Sequence, residues 1–118
     1  MARDDYDVIV FKLLVYYYAI LKRKEIFSRD IFDALTRGCD EQYVHQVLRL
    51  MQSEGLIEGL LFTRAWGSEY FLVGGDPSRA SITAEGVRYL KENSSMAKVK
   101  EFLRDKADAI ITLWEMLF

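Results

Sequence analysis

The sequence predicts an α+β fold: a winged helix-turn-helix with a small antiparallel β-hairpin as its wing and additional C-terminal helices. Three observations carry that prediction. Residues 40–55, DEQYVHQVLRLMQSEG, read as one complete helix. Asp40 is placed to accept from the orphan amides of its first turn, and Gly55 to end it in a left-handed conformation. A shorter helical pattern precedes it across a turn containing Gly38, and two short helices joined by such a turn are the helix-turn-helix signature. Two short apolar runs with a glycine turn between them follow it, which is how a hairpin reads.

The bulk composition narrows the setting. A chain of 118 residues builds one domain with one core. Because 51% of it is apolar, disorder over most of its length is excluded. The net charge of −2 lacks the basic excess that marks many nucleic-acid binders. Cys39 is the single cysteine, so no intramolecular disulfide forms, and a reducing cytoplasm is the expected location. The opening MARDDYD is acidic and unlike a signal peptide. Val8 to Leu21 is very apolar, but at 14 residues with Lys12 inside it is too short to span a bilayer, so no membrane partner is expected. The expected organisation is a winged-helix domain over residues 1–93 and an amphipathic helix over 94–118.

Taken in order, residues 4–23 form a helix with acids at its start and Lys22, Arg23 and Lys24 at its end, matching the helix dipole. Apolar residues occur nearly all the way round it, so it should be contacted on several sides. Ile26 and Phe27 are β-favouring and occupy the place of a very short first strand. Ser28 caps a second helix, Arg29 to about Thr36, with Ile31, Phe32 and Leu35 inward. In the third helix Tyr43, Val44, Val47, Leu48, Leu50 and Met51 make a wide apolar side, while Gln42, His45, Gln46, Arg49 and Gln52 fall opposite. LIEGLLFT, residues 56–63, is a strand with a bulge or close approach at Gly59. Residues 64–68 turn, 69–73 return, and Gly74 to Pro77 form a loop. Ser81 and Ile82 end a short strand. Thr83 caps a helix over 84–93, and a last helix runs from about 95 to 118. The expected core is Val8, Phe11, Leu14, Phe32, Leu35, Val44, Leu48, Met51, Leu56, Ile57, Ile82, Val87 and Leu90.

The passage SITAEGVRYLKENSSMAKVKEF, residues 81–102, is distinctive. Its I-T-x-x-G-x-x-Y-L pattern after a hairpin is common to many winged-helix proteins, and the continuation E-N-S-x-M-x-K is narrower. Together with the opening DDYDVIVFKLLVYY and the passage EGLIEG, it resembles the YjcQ family, over most of the chain. The resemblance implies a small winged-helix-like protein of bacterial, phage or prophage origin. Its motifs are structural, so it carries over no active residues.

The residues hold no recognisable catalytic or metal constellation. His45 and Cys39 stand alone as potential soft ligands, where a metal site uses three or four. No cofactor is expected, and the chain is expected not to be an enzyme. Two classes of function stay open. In a DNA-binding regulator, Gln42, Gln46 and Arg49, with His45 beside them, would read base edges in double-stranded DNA, since glutamine pairs with adenine and arginine with guanine. Arg64 on the wing would hold phosphate. Against this, residues 25–55 carry six acids and three arginines, and phosphate neutralisation supplies most non-specific affinity. In a protein-interaction or phage-associated structural module, Trp66 at the wing tip and Ile110, Trp114 and Leu117 on the last helix would anchor a partner. The apolar stripe of that helix also predicts a homodimer built on residues 96–118, the alternative being that it packs back on the N-terminal helix of its own chain.

Overall fold

A computed structural model describes residues 6–65 and 69–93. At its centre is α1 (Tyr6–Leu21), whose sequence offers no polar face. Every residue from Ile9 to Tyr17 is buried, Lys12 included, and so is Ala19. Burial right round a helix needs neighbours on several sides, and the later helices and the last strand supply them. Two tyrosines bury their hydroxyls by bonding to loops. Tyr16 Oη accepts from Ser28 N at 2.7 Å, and Tyr17 Oη donates to Pro77 O at 2.9 Å. Burial raises the pKa of both hydroxyls. The helix ends with Lys24 N bonded to Ala19 O and Arg23 N to Ile20 O, while Arg23 takes the left-handed conformation, φ 63°, usually given to glycine there.

Ile26 and Phe27 do not form the expected first strand: no pairing is assigned at either residue. The Ser28 amide that could extend such a ladder bonds the Tyr16 hydroxyl instead, Ile26 is 85% exposed, and Phe27 packs its ring between those of Tyr16 and Phe32. Ser28 caps α2 (Arg29–Leu35), which buries Phe32 and Leu35. The turn through Gly38, φ 87°, leads to α3 (Glu41–Ser53). There Asp40 accepts from the amides of Gln42 and Tyr43, and Val44, Val47, Leu48 and Met51 enter the core. Gly55, φ 83°, closes the helix as Leu56 N reaches back to Met51 O.

The hairpin is one ladder broken into two. β1 (Ile57–Glu58) pairs antiparallel with β4 (Ser81–Ile82), Ile57 opposite Ile82. β2 (Phe62–Ala65) pairs antiparallel with β3 (Glu69–Leu72), Phe62 opposite Leu72 and Arg64 opposite Tyr70. Residues 59–61 join the two ladders on one side. The other side makes an excursion over 73–80 with 3₁₀ turns at Val73–Gly75 and Pro77–Arg79. Gly59 is required at the break. Its φ is 102°, and a Cβ there would lie 2.6 Å from the Arg79 carbonyl oxygen. Thr83 caps α4 (Ala84–Glu92) by accepting from Gly86 N at 3.0 Å, and Gly86 lets that helix lie directly on the Leu56 carbonyl and Ile82.

The architecture is α+β, with four α-helices among the described residues and a small antiparallel hairpin, an order compatible with a winged helix. Eleven of the thirteen expected core positions are fully buried. Val8 and Val87 are partly buried against the same cluster. The helix expected over 95–118, the homodimer built on it, the division at residue 94, and Trp66, Ile110, Trp114 and Leu117 lie outside the described residues. No helix among the described residues is long and apolar enough to cross a membrane.

Candidate functional site

The side of α3 opposite the core is occupied by the protein's own hairpin. Gln42 and Gln46, one turn apart, both donate their side-chain amides to the Tyr70 carbonyl oxygen, at 2.8 and 2.7 Å. The strand parity explains why that carbonyl is available. Val73 N bonds Leu61 O, so alternate residues from Leu61 face across the ladder, and Tyr70 turns its backbone groups out of the β3 edge toward α3. A third glutamine does the same job further along. Gln52 donates to Leu60 O at 2.9 Å and accepts from Leu60 N at 2.8 Å, a reciprocal pair that copies a strand ladder with a side chain.

Arginine completes the clasp. The guanidinium carbon of Arg49 lies over the Tyr70 ring at 4.4 Å from its centroid, and that of Arg64 at 4.8 Å. Arg64 reaches the ring because it is the cross-strand neighbour of Tyr70. Neither guanidinium has a carboxylate partner among the described residues, and Arg49 Nε is buried without a hydrogen bond. His45 is on the same helix and largely buried. Its side chain is 12% exposed, with Nε2 at 3.9 Å from Glu41 Oε2 and Nδ1 unpartnered.

The structure brings Gln42, Gln46, Arg49 and Arg64 together, while His45 turns to Glu41. Those four meet at Tyr70, a residue with no distinguishing signal in the sequence. Tyr70 sits 24 and 28 residues from the glutamines that hold it, and no local pattern links them. The surface that α3 leaves to solvent is a narrower strip. Tyr43 and Leu50 are each a little over a third exposed, and Glu54 follows one turn later. Beside that strip lies Tyr6, whose pKa is pushed up to about 12, chiefly by burial and next by the nearby Glu54 charge, with Tyr89, Asp7 and Tyr43 adding to it. The outer face of the hairpin is apolar as well: Leu61, Val73 and Phe71 are 69%, 50% and 38% exposed. Among the described residues no group of three or more His, Cys, Asp or Glu is placed to hold a metal.

Fold and site define a small α+β protein in which a helix-turn-helix is closed by a hairpin clasped to its second helix. The chain belongs to the YjcQ family, the YjcQ protein model matching residues 11–108, as the motifs at 81–102 implied. No curated protein and no solved structure matches the chain.

Proposed function

We propose that this protein acts without catalysis, as a protein-interaction module on a winged-helix-like scaffold. One observation carries the reading: the polar side of α3, which would have to enter a DNA groove, is spent on holding the hairpin. A glutamine that gives an N–H to its own main chain is held against the hairpin, so turning it to a base edge in a groove costs that bond, and the cost is met twice at Gln42 and Gln46. What α3 leaves exposed carries Tyr43, Leu50 and Glu54 and no base, a surface suited to protein and repellent to phosphate.

A second reading, a DNA-binding transcriptional regulator, is favoured by Arg49 on α3 and Arg64 on the hairpin, two guanidiniums over one ring with no carboxylate partner among the described residues. A salt-dependent shift assay on mixed genomic fragments separates the two. The interaction reading expects weak binding without sequence preference that fades with added salt. A sequence-specific complex that loses its preference in Arg49→Ala and weakens uniformly in Arg64→Ala would replace it with the regulator.

A further inference from the structure

We infer that the outer edge of β2 is a docking site for an extended segment of a partner protein, whose side chains alternate between apolar and acidic. This rests on the interaction reading above and names where and how the partner binds. β2 and β3 form a two-stranded sheet of their own, separate from β1 and β4. Such a sheet has two edges, and they are treated differently. The β3 edge, where Tyr70 and Leu72 turn outward, lies toward α3, and its Tyr70 carbonyl is held by Gln42 and Gln46. The β2 edge is open. Leu61 O faces β3, so Phe62 and Arg64 turn their N–H and C=O groups the other way, and among the described residues nothing bonds to them.

An unpaired edge is a template for strand addition, with main-chain bonds giving affinity and alternate side chains giving specificity. The faces of this hairpin specify the pattern. On the outer face, Leu61 opposite Val73 and Thr63 opposite Phe71 present exposed apolar surface that an added strand would extend with apolar side chains. On the inner face, the added strand's intervening residues would lie across from Phe62 and Arg64. Arg64, stacked on Tyr70 with no carboxylate partner among the described residues, is the group an acidic side chain would meet. A charge placed only to repel other strands needs no such partner face, whereas this edge has one charged and one apolar side.

The test uses the full chain and a synthetic peptide of alternating valine and glutamate, followed by nitrogen–proton correlation spectra and amide exchange. The expected result is binding with Kd of about 0.1–1 mM, shifts confined to the hairpin, and, at about 1 mM peptide, roughly two- to tenfold slower exchange at the Phe62 and Arg64 amides. An alternating valine and lysine peptide should bind several-fold more weakly, as should the valine and glutamate peptide to Arg64→Gln. Arg64→Pro removes an outward N–H without touching the β2–β3 ladder, so it should abolish binding while the β3 amide signals stay in place. No protection at about 1 mM peptide, or unchanged binding by Arg64→Pro, overturns the proposal. Adding a genomic DNA duplex to the same sample keeps the two levels apart. Peptide failure with silent α3 amides defeats the edge alone, while specific shifts at Gln42, Gln46 and Arg49 on DNA defeat the interaction reading beneath it.

Discussion

Replacing Gln52 with alanine removes both halves of a reciprocal amide pair. The Leu60 N–H and C=O lose their only described partners, at 2.8 and 2.9 Å, and Leu60 is 6% exposed. A buried backbone group stripped of its partner costs about 1–3 kcal/mol. Gln52 itself is half-buried, so water can follow into the space and recover part of that, leaving about 2–3 kcal/mol for the pair. In urea, with a slope of about 1.5 kcal/mol/M, the midpoint should fall by roughly 1–2 M. Gln52→Glu tests the polarity of the pair. It keeps an acceptor for Leu60 N and sets a carboxylate against Leu60 O, and its protonated form restores the donor. The folded-state pKa of that glutamate would then lie above the unfolded value of about 4.3, so its contribution is present below that pH and lost as pH rises. The deficit of Gln52→Glu against wild type should shrink as the pH is lowered from neutrality toward about 4. A loss below about 0.5 kcal/mol in Gln52→Ala would refute the clasp at this position.

Other consequences follow from the same geometry. Leu48 is fully buried on the core side of α3, and Leu48→Ala should cost about 2–5 kcal/mol in the same denaturation assay. Gly86→Ala gains helix propensity of about 1 kcal/mol. Its methyl, however, meets the Leu56 carbonyl oxygen and comes to 2.7 Å of Ile82 Cγ1, so the net effect should be destabilising, with a lowered Tm. Arg23→Gly relieves a left-handed residue at the end of α1 and should stabilise by up to about 1 kcal/mol. The Tyr6 hydroxyl is raised to about 12 by burial first and Glu54 second. A raised folded-state pKa gives stability that is whole below the unfolded value of about 10 and disappears as pH climbs through the folded one. Alkaline titration should therefore show unfolding and tyrosinate absorbance appearing together between those values, and Tyr6→Phe should delay both.

Local chemistry made much of this fold legible. Ser28, Asp40 and Thr83 are capping residues whose partners lie two or three positions away, so helix starts could be read directly. The apolar spacing of α3 likewise placed Val44, Leu48 and Met51 in the core. Of the site, only the polar side of α3 was legible, and the residue it meets was not. Glutamine offers the same amide to a base edge and to a peptide carbonyl, and the carbonyl that takes it belongs to Tyr70, far along the chain. The break in the ladder was half visible. Gly59 marked a bulge, but the Arg79 carbonyl that requires the glycine arrives from the other side of the hairpin. At Ile26 and Phe27 β-propensity lost to one tertiary bond, the Tyr16 hydroxyl on Ser28 N.

The central claim is that the polar side of α3 exists to hold the hairpin. Native-state hydrogen exchange in the double variant Gln42→Ala, Gln46→Ala tests it most directly. The Tyr70 carbonyl would lose both donors, and a loss of about 1–3 kcal/mol should speed exchange across β2 and β3 roughly 5- to 150-fold. Exchange in the buried α1 should change far less. Hairpin amides that exchange at the wild-type rate would contradict the account and return the two glutamines to the role of surface readers.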